Sequence, residues 1–164
     1  MKFFLAIAAL TFALSGCNVQ EEDKKEGQGG ADTMVNQTDY TACQPGSASP
    51  VTPVGLWRAV YAQSNYSFVR TYNIGNNFFQ LTHDCNFNGA KVSTSAGAGA
   101  SIYFGKIAVL GDQRTEKSVT REGYKLTCQA EVVGGSLNYH YQGACLVLTD
   151  ENNTNGLMLV PVSQ

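Results

Sequence analysis

Five cysteines carry the most reactive side chains of this 164-residue chain, and their spacing limits the chemistry they can perform. Cys17 stands alone near the N-terminus, whereas four more are spread over the rest of the chain: Cys43, Cys85, Cys128 and Cys145. None pairs at the C-x-x-C spacing of common zinc sites, so we expect no metal bound by cysteine. An even set is typical of a disulfide framework in an oxidising compartment, and four cysteines allow three pairings.

Nucleophilic and acid–base catalysis has little support in the sequence. The chain has two histidines, His83 and His140, and lacks H-E-x-x-H, G-x-S-x-G and S-x-x-K motifs. Adjacent residues of a strand point to opposite faces, so His83 and Asp84 cannot act together in a catalytic triad. The segment 151–156 faintly resembles a calcium loop, but Val162 stands where a bidentate carboxylate is needed. We therefore expect no catalytic residue, metal ion or cofactor, with His83 at the rim of a sheet and His140 exposed.

Both histidines and most of the cysteines are expected to lie on β-strands, because apolar and polar residues alternate through most of the C-terminal half. Residues 124–132 and 137–142 alternate in this way, which predicts two half-buried strands. If Gly134-Gly135 forms a tight turn, Val132 lies opposite Leu137. A second tight turn at Gly143-Ala144 pairs Gln142 with Cys145, Tyr141 with Leu146 and Tyr139 with Leu148.

The same argument applies upstream, where residues 68–74 and 79–85 flank Gly75-Asn76. A two-residue turn there pairs Tyr72 with Phe79 and Arg70 with Leu81. Further strands are predicted at residues 56–61, 91–95, 100–110, 117–121 and 157–162, and the Ala/Gly-rich segment 95–101 is interpreted as a flexible connection. Nine to ten short strands without helical periodicity predict an all-β fold, a single antiparallel β-barrel of about 8–10 strands over residues 40–164.

The predicted faces favour one of the three disulfide pairings. Cys85 and Cys128 share the core face of their strands, whereas Cys145 points outward beside Gln142. We therefore favour a Cys85–Cys128 bond inside the barrel and a Cys43–Cys145 bond that straps the N-terminal segment to the outer wall.

The core face is rich in tyrosine and includes a charge. Arg70 falls on this face, and a buried unpaired arginine is so costly that it implies an acidic ligand, an internal partner or a wrongly assigned face. Phe68 and Leu126 lie on the same predicted face. The candidate ligand-binding residues are Arg70, Tyr72, Phe79, Leu81, Tyr124, Tyr139 and Tyr141.

The N-terminus has the order of a secretory signal: the basic start Met1-Lys2, an uncharged apolar run over residues 3–14, and small residues before Cys17. The segment Leu14-Ser15-Gly16-Cys17 resembles the lipobox of bacterial lipoproteins. This resemblance implies cleavage of residues 1–16 and attachment of a diacylglyceryl group and an acyl chain such as palmitate to Cys17. Because Asn18 follows the cysteine, it further implies the outer membrane, at its periplasmic face or at the cell surface.

Residues 17–39 are predicted to form a disordered tether. Residues 18–39 contain six acids and two bases, with Gly27-Gln28-Gly29-Gly30 between them, and have little to bury. The net charge of −2 comes mainly from this segment, since residues 40–164 contain eight bases and seven acids. A nearly neutral domain has no electrostatic reason to bind nucleic acid.

Gly55-Leu56-Trp57, with the ending Tyr139-x-Tyr141-x-Gly143-x-x-Leu146-x-Leu148 and Leu157-x-Leu159, resembles the first and closing strands of lipocalin-like barrels. This resemblance implies that Trp57 closes one end of a barrel. The basic residue that accompanies that tryptophan in the family is absent from residues 157–162.

Three classes of function fit these features. The first is a membrane-anchored, non-enzymatic binding module for a small apolar or acidic ligand. The second is an envelope protein with a filled barrel that acts through its surface on another envelope protein, as a hydrolase inhibitor or an assembly accessory, with segment 111–123 as the contact loop. An enzyme is the third.

Overall fold

The computed structural model of the chain describes residues 19–20, 34–63 and 65–162, with backbone only for Val19, Gln20 and Arg121. The predicted signal segment, Cys17 and most of the predicted tether lie outside these residues. No helix in the described part of the chain is long and apolar enough to cross a membrane.

Regular structure in the described residues consists of twelve strands and one 3-10 turn at Thr41–Cys43. In chain order the strands are β1 (Val19–Gln20), β2 (Val35–Asn36), β3 (Gly55–Gln63), β4 (Tyr66–Ile74), β5 (Phe78–Phe87), β6 (Ala90–Tyr103), β7 (Lys106–Leu110), β8 (Gln113–Arg121), β9 (Tyr124–Val132), β10 (Gly135–Gln142), β11 (Cys145–Thr149) and β12 (Gly156–Pro161).

Eight of these strands form a closed antiparallel barrel in the order β3-β4-β5-β6-β7-β10-β11-β12. The barrel closes where β12 pairs with β3, with Val160 opposite Arg58 and Pro161 opposite Trp57. Strand β2 is not one of the eight barrel strands and pairs with the C-terminal end of β3. The prediction of a single antiparallel β-barrel is therefore confirmed.

Alternation along each strand fills the interior, because every second side chain points inward. Inward-facing residues of neighbouring strands meet in rows, and one row consists of Trp57, Tyr72, Leu81 and Ala96. All four are at most 8% exposed.

Strand β6 contradicts the interpretation of residues 95–101 as a flexible connection, since this segment lies in the middle of the strand. Ala96 and Ala100 point into the core and are buried. Gly97 lies on the opposite face, where an added Cβ would stand 3.3 Å from the backbone oxygen of Phe79. The small residues therefore let bulky neighbours on β5 pack closely. The predicted strand 100–110 is also divided, by a turn at Phe104-Gly105.

The register of the β4–β5 hairpin differs from the predicted one by two residues. Ile74 pairs with Phe79, Tyr72 with Leu81 and Arg70 with His83. The cause is a turn that lies one residue later than predicted, at Asn76-Asn77, and is closed by a 2.9 Å hydrogen bond from the Gly75 N–H to the Phe78 oxygen. Because the shift is even, every side chain keeps its predicted face.

The β10–β11 hairpin has the predicted register, with Tyr139 opposite Leu148, Tyr141 opposite Leu146 and Gln142 opposite Cys145.

Gly134-Gly135 is not the predicted hairpin turn, and Val132 does not pair with Leu137. Val132 lies opposite Gln113 on β8, and Leu137 lies opposite Ile107 on β7. Strands β7–β8 and β9–β10 together run as one long two-stranded ribbon that bends in the middle. Its outer half, β8–β9, folds over the inner face of β5 and β6.

The bend depends on glycines in both strands of the ribbon. Gly111 and Gly135 have φ values of +116° and +149°, which L side chains rarely adopt. A Cβ on Gly134 would lie 2.9 Å from the nitrogen of Gly111, so the two strands of the ribbon are in close contact at this point. The Gly134 N–H also donates a 2.6 Å hydrogen bond to the Asp112 carboxylate.

The two disulfides are Cys43–Cys145 and Cys85–Cys128, which confirms the favoured pairing. Cys145 lies on the outer face of the barrel, as predicted. It is nevertheless fully buried, because the segment around Cys43 covers both Cys145 and Val160. The Ala144 N–H donates a 2.9 Å hydrogen bond to the Ala42 oxygen, so the segment around Cys43 also contacts the backbone of the β10–β11 turn.

Candidate functional site

Arg70 and His83 form a polar pair on the inner wall of the barrel. They lie directly opposite each other on β4 and β5. His83 is 1% exposed, so the prediction that it lies at the rim was wrong. The cause is its place on β5: His83 alternates with the inward-facing Leu81 and Cys85, and β9 covers it at Gln129.

Two aromatic rings hold this pair. The Arg70 guanidinium carbon lies 5.2 Å from the ring centroid of Phe68 and 5.7 Å from that of Tyr61, distances typical of cation–π contacts. The His83 ring meets Phe68 edge-on at 4.6 Å, and Tyr61 stacks on Phe68 at 4.8 Å. Phe68 therefore contacts both polar groups, and the aromatic cluster restricts their movement.

Three buried polar atoms of the described residues have no hydrogen-bond partner: Arg70 Nε, His83 Nε2 and the Tyr141 hydroxyl oxygen. All three belong to inward-facing side chains. Leaving a buried donor or acceptor unpaired costs about 1–3 kcal/mol, and more for a charged group. A ligand or ordered water that hydrogen-bonds to these three atoms would remove this free-energy cost, so the barrel interior is the candidate binding site.

The protonation of His83 follows from its one hydrogen bond. Its Nδ1 lies 2.6 Å from the Gln129 carbonyl oxygen on β9, and a carbonyl only accepts, so Nδ1 carries the proton. Burial lowers the pKa of His83, and the nearby charge of Arg70 lowers it further, against the opposing effects of Gln129 and Asp84. A neutral imidazole with its proton on Nδ1 has a bare lone pair at Nε2.

Burial also favours the neutral form of three interior tyrosines, Tyr61, Tyr72 and Tyr141. It raises the pKa of Tyr72 and of Tyr61, in both cases against the charge of Arg70, and raises the pKa of Tyr141 to about 12. Arg70 is thus the one permanent charge among the inward-facing barrel residues that the structure describes.

Solvent has access to part of this interior. The inward-facing side chains of Tyr61, Arg70, Tyr139, Tyr141 and Leu157 are only half-buried. Since they point into the barrel, their accessible area lies on the inner face. Side chains therefore do not fill the interior completely, and its walls are apolar.

The β8–β9 hairpin covers the other side of the pair. The Cys85–Cys128 disulfide joins β9 to β5 two residues from His83, and the Cys128 sulfur lies 3.3 Å from the His83 carbonyl oxygen. The two sulfurs and a nitrogen of His83 lie within 4.8 Å of one another. Because the sulfurs are bonded to each other, they are not available as thiolate ligands for a metal.

The structure separates the predicted ligand-binding residues into three groups. Tyr72, Phe79 and Leu81 are buried inward beside Arg70. Tyr139 and Tyr141 are half-buried, and the Tyr139 and Tyr141 rings lie 6.0 Å apart. Tyr124 does not belong to the interior, because it begins β9 at the tip of the hairpin and is 47% exposed.

Sequence reasoning missed His83 and Tyr61 as members of the site. Both alternate correctly with the core residues of their strands, so their inward direction could have been read from the pattern. His140, in contrast, is exposed as predicted.

The outer surface has a separate feature at the turn between β6 and β7. Phe104 is fully exposed and Tyr103 is 61% exposed, an unusual pair of aromatic side chains in water. Segment 111–123, predicted as a contact loop, is instead mostly strand β8. An open depression of about 560 Å³ lies near the ribbon bend, between Phe78, Gly97, Gly99 and Gln113.

The barrel interior offers a cation, an imidazole nitrogen without a hydrogen-bond partner and tyrosine hydroxyls inside apolar walls. Apolar walls with a few polar groups are typical of small-molecule sites. No protein-family model, curated protein or solved structure matches this chain.

Proposed function

We propose that this protein is a lipid-anchored, non-enzymatic binding module of a bacterial envelope that takes up a small amphipathic acid inside its barrel. One observation carries the proposal: Arg70 lies on the inner wall with its Nε buried and without a hydrogen-bond partner. A ligand carboxylate would supply the missing acceptor, and charge-assisted hydrogen bonds of this kind are about twice as strong as neutral ones.

The surroundings of Arg70 suit an apolar chain attached to that acid. Tyr72, Phe79 and Leu81 provide an apolar wall on β4 and β5. Tyr139 and Tyr141 face them from β10 and keep part of their surface open. A ligand with an acidic head and a short alkyl or ring system would bury its apolar surface against these side chains and place its head at Arg70.

The two disulfides support the envelope location, because disulfides are typical of proteins in oxidising compartments. The eight-stranded antiparallel barrel is compatible with the lipocalin-like fold that Gly55-x-Trp57 resembles. Anchorage through acylated Cys17 at the outer membrane follows from the lipobox-like segment. Metabolic labelling with a radioactive fatty acid tests it: the natural chain takes up label, and incorporation into a Cys17→Ala chain would refute it.

Ligand binding is tested by Trp57 fluorescence. Trp57 is 3% exposed, donates from Nε1 to the Pro53 oxygen at 2.8 Å, and its ring centroid lies 6.4 Å from that of Tyr141, so it reports on the interior. Decanoic acid, titrated into the full chain carrying Cys17→Ala, is expected to give a saturable change.

The matched variants are Arg70→Leu, which is expected to weaken decanoate binding at least tenfold, and Arg58→Leu, which removes an exposed arginine of the neighbouring strand and should leave binding unchanged. Equal affinities of the two variants, or no saturable change in the parent chain, would contradict the proposal.

A second function is favoured by the surface. Exposed Tyr103 and Phe104 protrude at the β6–β7 turn, which is the kind of anchor that protein–protein contacts use. If the barrel binds no amphipathic acid, an envelope protein that acts on another through this turn is the alternative.

A further inference from the structure

The Arg70–His83 pair offers two different hydrogen-bonding roles side by side. The Arg70 Nε–H only donates. His83 Nε2 only accepts, because Nδ1 holds the proton against the Gln129 oxygen at 2.6 Å. Both atoms are buried and without a partner. A head group that satisfies both must present an acceptor to the guanidinium and a hydrogen to the imidazole.

We infer that the barrel binds its acidic ligand together with one proton, which lies between an oxygen of the ligand head and His83 Nε2. The ligand class is therefore a weak carboxylic acid with an apolar tail, taken up as the acid form or as a carboxylate beside an imidazolium. This inference rests on the proposed function. In the balanced step, the free carboxylate and neutral His83 take one proton from solution, and no other bond forms or breaks.

A carboxylate without that proton fits the pair poorly. One of its oxygens would accept from Arg70, but any oxygen directed at His83 would face a lone pair, and two acceptors in contact repel. Arg70 and His83 are directly opposite each other on neighbouring strands, and both contact the Phe68 ring, so a head group at Arg70 also lies close to His83.

The other groups around His83 do not supply the proton. Thr94 on β6 has its hydroxyl 3.0 Å from that of Thr115, and β9 contributes only the Gln129 carbonyl and the bridged Cys128. Lys117 on β8 is on the same face as Cys128 but exposed, and Asp84 is exposed on the opposite face of β5.

Titration of the interior tyrosines does not interfere above neutral pH, since burial raises the pKa of Tyr61, Tyr72 and Tyr141. The ligand acid and His83 are the two groups left to take up the proton. Although the unpaired nitrogens are shielded, the rest of the Arg70 side chain is partly exposed, so a ligand reaches the pair along this side chain.

Isothermal titration calorimetry of the full chain carrying Cys17→Ala tests the inference with two probes, decanoic acid and 1-decanol. Each titration is run in phosphate and in Tris, because the heat difference between buffers measures the protons taken up. We expect decanoate to bind with uptake of about one proton and with an affinity that falls about 100-fold from pH 7 to pH 9, tenfold for each pH unit. Decanol donates its own hydroxyl hydrogen and should bind without proton uptake.

Variants separate the two residues. His83→Gln should still bind decanoate, but with proton uptake near zero and little dependence on pH, because an amide can rotate to donate. His140→Gln, which changes the exposed histidine, should behave as the parent chain.

Decanoate binding without proton uptake, or uptake that persists in His83→Gln, would overturn the inference while leaving the proposed function intact. Absence of binding by both probes would overturn both.

Discussion

Removing the Cys85–Cys128 disulfide should release the β8–β9 hairpin from the barrel. The bond closes a chain segment of 43 residues, and the chain-entropy relation for such a loop gives a stabilisation of about 4 kcal/mol. The double variant Cys85→Ala/Cys128→Ala is therefore expected to lose roughly that free energy of unfolding.

The loss of stability should be larger in the β8–β9 hairpin than in the barrel, because the hairpin is attached to the barrel mainly through side chains. Within the part of the chain that the structure describes, β8 and β9 pair with each other and with β1 but with no strand of the barrel. Side chains connect the hairpin to β6: Gln113 accepts a hydrogen bond from the Gly97 N–H, and the Thr115 hydroxyl donates to the Ser95 oxygen. Without the disulfide, these contacts and the burial of Leu126 and Val132 must hold it. Local opening of the hairpin should therefore need much less free energy than global unfolding.

Urea unfolding followed by Trp57 fluorescence measures the first effect, and amide hydrogen exchange measures the second. The control is Cys43→Ala/Cys145→Ala, which opens a loop of 102 residues and is expected to cost about 4.7 kcal/mol without loosening the hairpin. If exchange in β9 rises no more than exchange in β10 when Cys85 and Cys128 are replaced, the hairpin is not held as we describe.

Two further changes test the bend and one loop. Gly134→Ala should lower the free energy of unfolding by about 1–3 kcal/mol in urea titrations, because its Cβ would lie 2.9 Å from the Gly111 nitrogen. The control is Gly99→Ala, whose Cβ has its nearest neighbour at 3.6 Å and which should change this free energy little. Equal losses in the two variants would contradict the close approach of the strands at the bend. Hydrogen bonds from Thr154 hold the pKa of Asp150 below its ordinary value of 3.8, so its contribution is present above about pH 4 and is lost as pH falls through the lowered pKa. The gap in Tm between the parent chain and Asp150→Asn should therefore shrink from pH 6 to pH 3, and a constant gap would refute this role.

Alternation determined which residues face the core, and this much could be predicted from the sequence. It gave the register of β10–β11 and, through the inward direction of Cys85 and the outward direction of Cys145, the pairing of both disulfides. These inferences succeed because side-chain direction in a strand depends only on position along the chain.

Connections were harder to predict, because the same residues serve different backbone shapes. Gly134-Gly135 has the composition of a tight turn and also of a bend between paired strands, and only the long-range packing of β9 on β5 distinguishes them. Because the β4–β5 turn lies one residue later than predicted, Arg70 is opposite His83 rather than Leu81. The sequence therefore indicated a charge in the core but not its histidine partner.

The two disulfides are nested, since the Cys43–Cys145 bond encloses the Cys85–Cys128 bond along the chain. Cys43 and Cys85 emerge from the ribosome before either of their native partners, so an oxidant that acts before Cys128 has emerged joins a non-native pair. The native connectivity then arises by thiol–disulfide exchange, in which Cys128 displaces Cys43 from Cys85 and Cys43 later pairs with Cys145. Maturation of this small barrel is thus expected to depend on an isomerase as well as on an oxidant.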